Sequence, residues 1–345
     1  MNNTTDLKRP IVGITMGDPA GIGAEITVKA LSRKDIYEKS IPIVIGSREP
    51  MEDAIKFTGS ALQINSIKDV SQALGEFGKI DLLDLNNIKL EDFKYGQVNT
   101  KAGQASLEYI NKGIDLALEK KIAAVVTGPI HKESIKAAGS SHVGHTEIFA
   151  TRTNSKDYAM MLADKELKVI HVTTHVQLRK ACDLVKKERV LTVIRLAHKA
   201  LQDLNVENPK IAVAGLNPHA GEGGLFGWEE TEEIIPAIRL AQQEGINAEG
   251  PIPPDTVFSK VIGGQYHIVV VMYHDQGHIP MKVTGFKFNV ETNKWSSMSG
   301  VNVTVGLPII RTSVDHGVAF GKAGEGRANE ESMLEAILMA INFSK

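Results

Sequence analysis

Short, unbroken apolar runs alternate with longer amphipathic stretches along most of the 345 residues. The apolar runs are Ile11–Met16, Ile41–Ile45, Ile80–Leu85, Ala123–Thr127, Lys168–Thr173, Lys210–Leu216, Ile268–Tyr273 and Val303–Ile310. They are too short to cross a membrane and rich in β-branched residues, the signature of strands buried on both faces. Between them, apolar positions recur at helical spacing over Thr100–Glu119, with a threonine N-cap, and over Glu188–Leu204 and Glu229–Glu244. This alternation predicts an α/β fold with a largely parallel sheet. Phe286–Ser299 is polar without a period and reads as a surface hairpin or loop. No repeat and no Pro/Gly-rich linker interrupts the pattern, which implies two intimately joined lobes.

Composition narrows the classes. An apolar fraction of 42% and a charged fraction of 23% are those of an ordinary globular chain. A formal net charge of −2 without a basic run speaks against nucleic-acid and membrane partners. The single cysteine, Cys182, fits a reducing compartment. The stretch MNNTTDLKRP lacks the apolar core of a signal peptide, so a cytoplasmic protein is expected.

Polar chemistry gathers where strands end. Three segments, KVIHVTTH, KIAVAGLNPHAGE and IVVVMYHDQG, run from a strand to His175, His219 and His274. Ligands of open α/β sheets collect at the carboxyl ends of strands. Three imidazoles there can bind Zn²⁺, Co²⁺, Ni²⁺ or Mn²⁺ with a position left open. Their separations match no local metal motif, and each can equally be a hydrogen-bonded histidine at a strand end. MGDPAGIGAE, Met16–Glu25, lacks both GxGxxG and GK[ST]; it is a tight strand–helix turn that can serve structure or face an anion. VTGPIHK follows a strand, and GHTE places His145 and Thr146 at a helix start, suited to a phosphate or simply to capping by Thr146. In GPIPPDTVF, Asp255 can cap the next helix or stand at a metal. Arg311 and Lys282 add the cations that a small anionic substrate needs.

Taken together, GDPAGIGAE, TGPIHK, GHTE, TTHVQLR, LNPHAGEGG, GPIPPDT, YHDQGHIPMK and VNVTVGLPIIRTSVDHG resemble the 4-hydroxythreonine-4-phosphate dehydrogenase family of vitamin B6 biosynthesis, over nearly the whole chain. The resemblance implies the two-domain fold of isocitrate and isopropylmalate dehydrogenases. The lobes would be 1–135 with 300–345, and 136–299, with an active site in the cleft between them. It further implies a homodimer with the metal site shared between subunits, NAD or NADP, and one divalent metal (Zn, Co, Mg or Mn) on His175, His219 and His274. Substrate contacts would fall on His145, Thr146, Lys282, Asn302 and Arg311, with Lys282 and Asp255 as catalytic candidates. DHGVAFGKAGEGRAN is similar to the loop that holds the adenine end of NAD in isopropylmalate-type dehydrogenases. That places the nucleotide on His316, Gly317, Gly324, Gly326 and Asn329.

Three features depart from the biosynthetic enzymes: a link extended by Lys287–Ser299, TTHVQL, and the ending AGEGRAN. They resemble a paralogous branch that oxidises D-threonate or D-erythronate 4-phosphate. The expected reaction is oxidation at C3 of a 4-phosphorylated 3-hydroxy acid followed by decarboxylation. Competing readings are a non-catalytic sugar-acid-phosphate binder and a metal-dependent hydrolase.

Overall fold

The computed structural model describes residues 9–291 and 294–345, without the side chains of 287–289 and 294–298. Residues 1–8 of the N-terminal stretch and residues 292–293 of the extended link lie outside the described residues. The chain divides into two compact units, residues 1–154 with 308–345, and residues 155–307.

Strands are numbered in chain order. The first unit holds β1 (Ile11–Thr15), β2 (Ile41–Gly46), β3 (Gln63–Ile67), β4 (Lys79–Asp84), β5 (Ala124–Thr127) and, after the chain returns, β14 (Ile310–Val314). They pair in parallel in the order β3-β4-β2-β1-β5-β14. Val12, Ile14, Val44, Ile45 and Val125 are fully buried, as a sheet covered on both faces requires. The second unit holds β6 (Ala159–Ala163), β7 (Lys168–His171), β8 (Ile211–Ala214), β9 (Ala248–Ile252), β10 (Ile268–Val271) and β13 (Val301–Val305). Their order is β13-β6-β7-β10-β8-β9, with β13 and β7 antiparallel to β6 and the other pairs parallel. Its core joins Leu162, Val169, Ala212, Val269 and Met281.

The α/β class with largely parallel pairing agrees with the sequence pattern. Three details differ. The helix Thr100–Leu118 is capped by Asn99, whose side chain accepts from Ala102 N at 2.9 Å, so the cap is not Thr100. Val303–Ile310 is not one strand: Gly306, at φ 94°, and Pro308 separate β13 from β14. The helix His145–Arg152 belongs to the first unit rather than to a lobe beginning at 136, because Arg152 bonds Asn111 and Asp115 on the helix Thr100–Leu118 at 2.5 Å each. The polar link forms an antiparallel hairpin of β11 (Phe286–Asn289) and β12 (Lys294–Met298).

Candidate functional site

In the first unit, parallel registry sets Arg311 of β14 beside Val125 of β5. Arg311 is 3% exposed; it donates to Thr127 Oγ1 at 2.9 Å and lies 5.6 Å from the Phe149 ring centre. Burial pulls its pKa down to about 9, opposed by the nearby Glu147 charge. A guanidinium held so far from water gains strongly from an incoming anion. Beside it, burial first and the Arg311 charge second hold His145 well below the usual histidine range, so its imidazole is neutral. His145 Nε2 is buried without a hydrogen-bond partner. His145 and Thr146 open their helix, but the N-cap is Gly144 and no side chain caps it, which corrects the alternative that Thr146 does. Uncapped N–H groups, a buried cation and an imidazole with an open ring nitrogen are chemistry that could hold an anion.

The stretch MGDPAGIGAE supports the adjoining loop. Glu25, almost fully buried, accepts from Ala328 N at 2.6 Å and from Lys29 Nζ at 2.9 Å. Lys29 also donates to the carbonyls of Gly326 and Ala328 at 2.9 and 2.6 Å. The i, i+4 pair thus staples the glycine loop to the first helix, a role no sequence motif announced. Within the loop, His316 Nδ1 lies 2.9 Å from Gly317 O, and Asn329 Oδ1 accepts from Glu331 N at 2.8 Å. A Cβ on Gly324, at φ 77°, would come within 2.6 Å of Tyr95, and one on Gly326 within 2.9 Å of Phe57 O. Those glycines are required by the fold itself. A Cβ on Gly317 meets nothing within 4 Å, so Gly317, not Gly324, is where an added side chain probes a ligand without disturbing the loop.

In the second unit, β7, β10 and β8 are parallel neighbours, so His175, His274 and His219 follow strand ends on one edge. Thr173 Oγ1 donates to Met272 O at 2.8 Å, tying the end of β7 to that of β10. His175 and His274 then come together, their ring centres 5.5 Å apart, beside a cavity of about 320 Å³ also lined by Thr174, Tyr273 and Asp275. Asp275 Oδ1 lies 2.6 Å from His274 Nδ1, a contact that engages Nδ1 and leaves Nε2 as the ring nitrogen able to take a ligand. Gln276 acts elsewhere: it accepts from Met272 N at 2.6 Å and donates to Gly215 O at 2.7 Å, bracing β10 against β8. His219 is not brought to this pair. Its side chain is 65% exposed and its Nδ1 lies 3.0 Å from Glu222 Oε1. Among the described residues no three His, Cys, Asp or Glu side chains form a group that could hold a metal.

Asp255 is exposed and leaves the following helix without a side-chain cap. Lys282 stands eight residues beyond His274 on the helix His274–Gly285, about 12 Å along its axis, with Nζ 4.3 Å from the Phe286 ring centre. Asn302, on β13, has its Oδ1 buried without a hydrogen-bond partner.

Behind His274 lies a stack that periodicity could not have revealed. The His278 ring sits 3.6 Å from that of His274, and His171 sits 4.9 Å from His278. His171 is fully buried on β7, and burial, reinforced by the His278 charge, pushes its pKa down to about 3. The unfolded chain takes up this proton near pH 6.5 and the folded chain does not. Stability is therefore complete above pH 6.5 and falls by about 1.4 kcal/mol per pH unit as pH drops from there towards 3. In urea titrations between pH 6.5 and 5, His171→Phe is expected to reduce the slope by this one-proton amount; an unchanged slope would contradict the assignment.

Comparison with known proteins places this geometry in a family. The family model described as pyridoxal phosphate biosynthetic protein PdxA matches residues 38–340. A relative from Oceanobacillus iheyensis, named "Putative D-threonate 4-phosphate dehydrogenase", is 50% identical over 339 residues, 98% of either chain. The crystal structure of a 4-hydroxythreonine-4-phosphate dehydrogenase from Burkholderia phymatum is similar at a TM-score of 0.84 with 44% identity, covering 97% of this chain and 98% of that one. The corresponding structure from Klebsiella pneumoniae reaches 0.88 with 38% identity, covering 99% of each. With nearly the full length shared in sequence and in fold, the chain belongs to the PdxA family and is an enzyme of the dehydrogenase type.

Proposed function

We propose that this enzyme catalyses NAD(P)- and divalent-metal-dependent oxidation of a 4-phosphorylated 3-hydroxy acid, with loss of CO₂ from the resulting 3-keto acid. The substrate is D-threonate or D-erythronate 4-phosphate, or 4-hydroxythreonine 4-phosphate. The observation that carries the reading is the buried Arg311 beside the neutral His145 at an uncapped helix start, a setting built for an oxyanion. Thr146 and Asn302 add polar contacts, and Lys282 a charge partner or acid/base group. Asp255, exposed ahead of the next helix, supports the metal's water.

Donor chemistry supports the metal in part. His175 and His274 offer two imidazoles at one cavity, and His219 carries its own carboxylate on Nδ1, the arrangement that readies Nε2 for a cation. A second copy of the chain supplying His219 completes a set of three, which is why a homodimer belongs to the proposal. When bound, a divalent ion there supplies Lewis acidity to the substrate oxygens. The glycine loop around His316, Gly317, Gly324, Gly326 and Asn329, stapled by Glu25 and Lys29, is the nucleotide cradle; Gly317 faces open space where a ligand can approach. NAD(P) supplies the hydride acceptor.

The 50%-identical relative and the hairpin extension favour the D-threonate branch over the amino-bearing substrate. The deciding experiment follows NAD(P)H production with the three phosphorylated acids side by side, with and without added divalent metal. Metal-dependent turnover with at least one of them is expected. Substrate binding without any reduced nucleotide would instead mark a binder, and phosphate release without nucleotide a hydrolase.

A further inference from the structure

We infer that Glu230 is the positioning residue for His219: its buried carboxylate holds the His219 loop in a backbone form the loop would not adopt alone. The inference rests on the reading of His219 as a metal ligand. From His219 to Gly223 five successive residues have positive φ: 54°, 56°, 79°, 40° and 67°. Three of them, His219, Ala220 and Glu222, carry a Cβ, for which this region is costly. Such a run persists only where surrounding contacts over-determine it.

Glu230 supplies those contacts. It is 2% exposed, although it stands only eleven residues from an open histidine. Its Oε1 accepts from Leu216 N and Asn217 N, both at 2.7 Å, and its Oε2 accepts from Asn217 Nδ2 at 2.9 Å. The carboxylate therefore grips the chain where it leaves β8, two residues before His219. It also lies against the far side of the loop, since a Cβ on Gly221 would fall 2.7 Å from Oε2. Ala220 N then closes back on Asn217 O at 3.1 Å. Glu230 opens a π-helical turn, Glu230–Ile234, a geometry frequent at functional sites. The hydrogen bonds of Glu230 go to Leu216 and Asn217, so it acts through Asn217 and the loop backbone.

The test uses the full-length enzyme, stripped of metal and titrated with Zn²⁺ and with Co²⁺, whose visible spectrum reports ligand geometry. E230Q keeps size and Oε1 but turns an amide towards Asn217 Nδ2, donor against donor. It is expected to weaken metal binding 10–100-fold, the range for groups that orient a ligand, and to alter the bound-Co²⁺ spectrum, while nucleotide affinity stays within twofold. Asn217→Ala removes one of the three bonds and is expected to give a smaller loss, which keeps the idea testable should E230Q fail to fold. His219→Ala is the comparator. Loss of metal affinity in His219→Ala with parent-like affinity and spectrum in E230Q, or in Asn217→Ala if E230Q does not fold, overturns the inference. Unchanged metal affinity in His219→Ala overturns the ligand reading, and this inference with it.

Discussion

Alanine at His274 is expected to lower metal-dependent turnover by at least about 100-fold, since even the supporting partners of metal ligands are worth 10–100-fold. Its fold should survive, because the ring stands at the cavity mouth rather than in the core, where Gln276 and Thr173 do the bracing. The same holds for His175→Ala and His219→Ala. The sharper measurement mixes the last two variants, each inactive alone. If His219 reaches the His175–His274 pair of a second copy, each mixed dimer carries one intact site. Random exchange then restores about a quarter of the parent activity, because half the dimers are mixed and one site in two is whole. Proven mixed dimers without activity would eliminate the shared site.

Replacing Arg311 by methionine is expected to separate binding from stability. Taking away a hydrogen-bonded charge from an anionic ligand costs on the order of 1.5–3 kcal/mol, or roughly 10–100-fold in affinity for the phosphorylated substrate. The unliganded protein should lose nothing by it. Burial pulls the Arg311 pKa down to about 9, so the charged form is disfavoured in the fold. Between pH 9 and the usual arginine range the unfolded chain holds more protons than the folded one, and stability rises with pH there. At pH 7 the cost of burying the cation is present, offset in part by Glu147 and by the bond to Thr127 Oγ1. Arg311→Met removes that cost and keeps the packing on Phe149. Melting curves should show equal or higher Tm without ligand and little or no rise when the phosphorylated acid is added. A parent-like ligand-induced rise would show that the phosphate binds elsewhere.

Determined by sequence alone were the α/β class, the family and the strands that read as apolar runs. IVGIT, AVVT, IAVA and IVVV announce themselves because a strand buried on both faces must be apolar throughout. Three other strands were silent, for different reasons. QINSI (β3) is the outer strand of the first unit's order and has three polar positions, AEGPI (β9) is the outer strand of the second unit's order and has a proline, and AMMLA (β6) is buried throughout but carries no β-branched residue. The strand-end histidines were legible for a related reason, since an apolar run that stops at an imidazole delivers it to the sheet's carboxyl edge. Tertiary structure alone decided which side chains meet. His145 joins Arg311 because its helix packs on Thr100–Leu118, and Glu25 and Lys29 reach a loop some 300 residues away in the chain. Gln276 braces two strands, and Glu230 lies beneath the His219 loop. Periodicity records only how residues of one segment face each other; partners from distant segments are chosen by how the packed segments bring their polar groups within hydrogen-bond range.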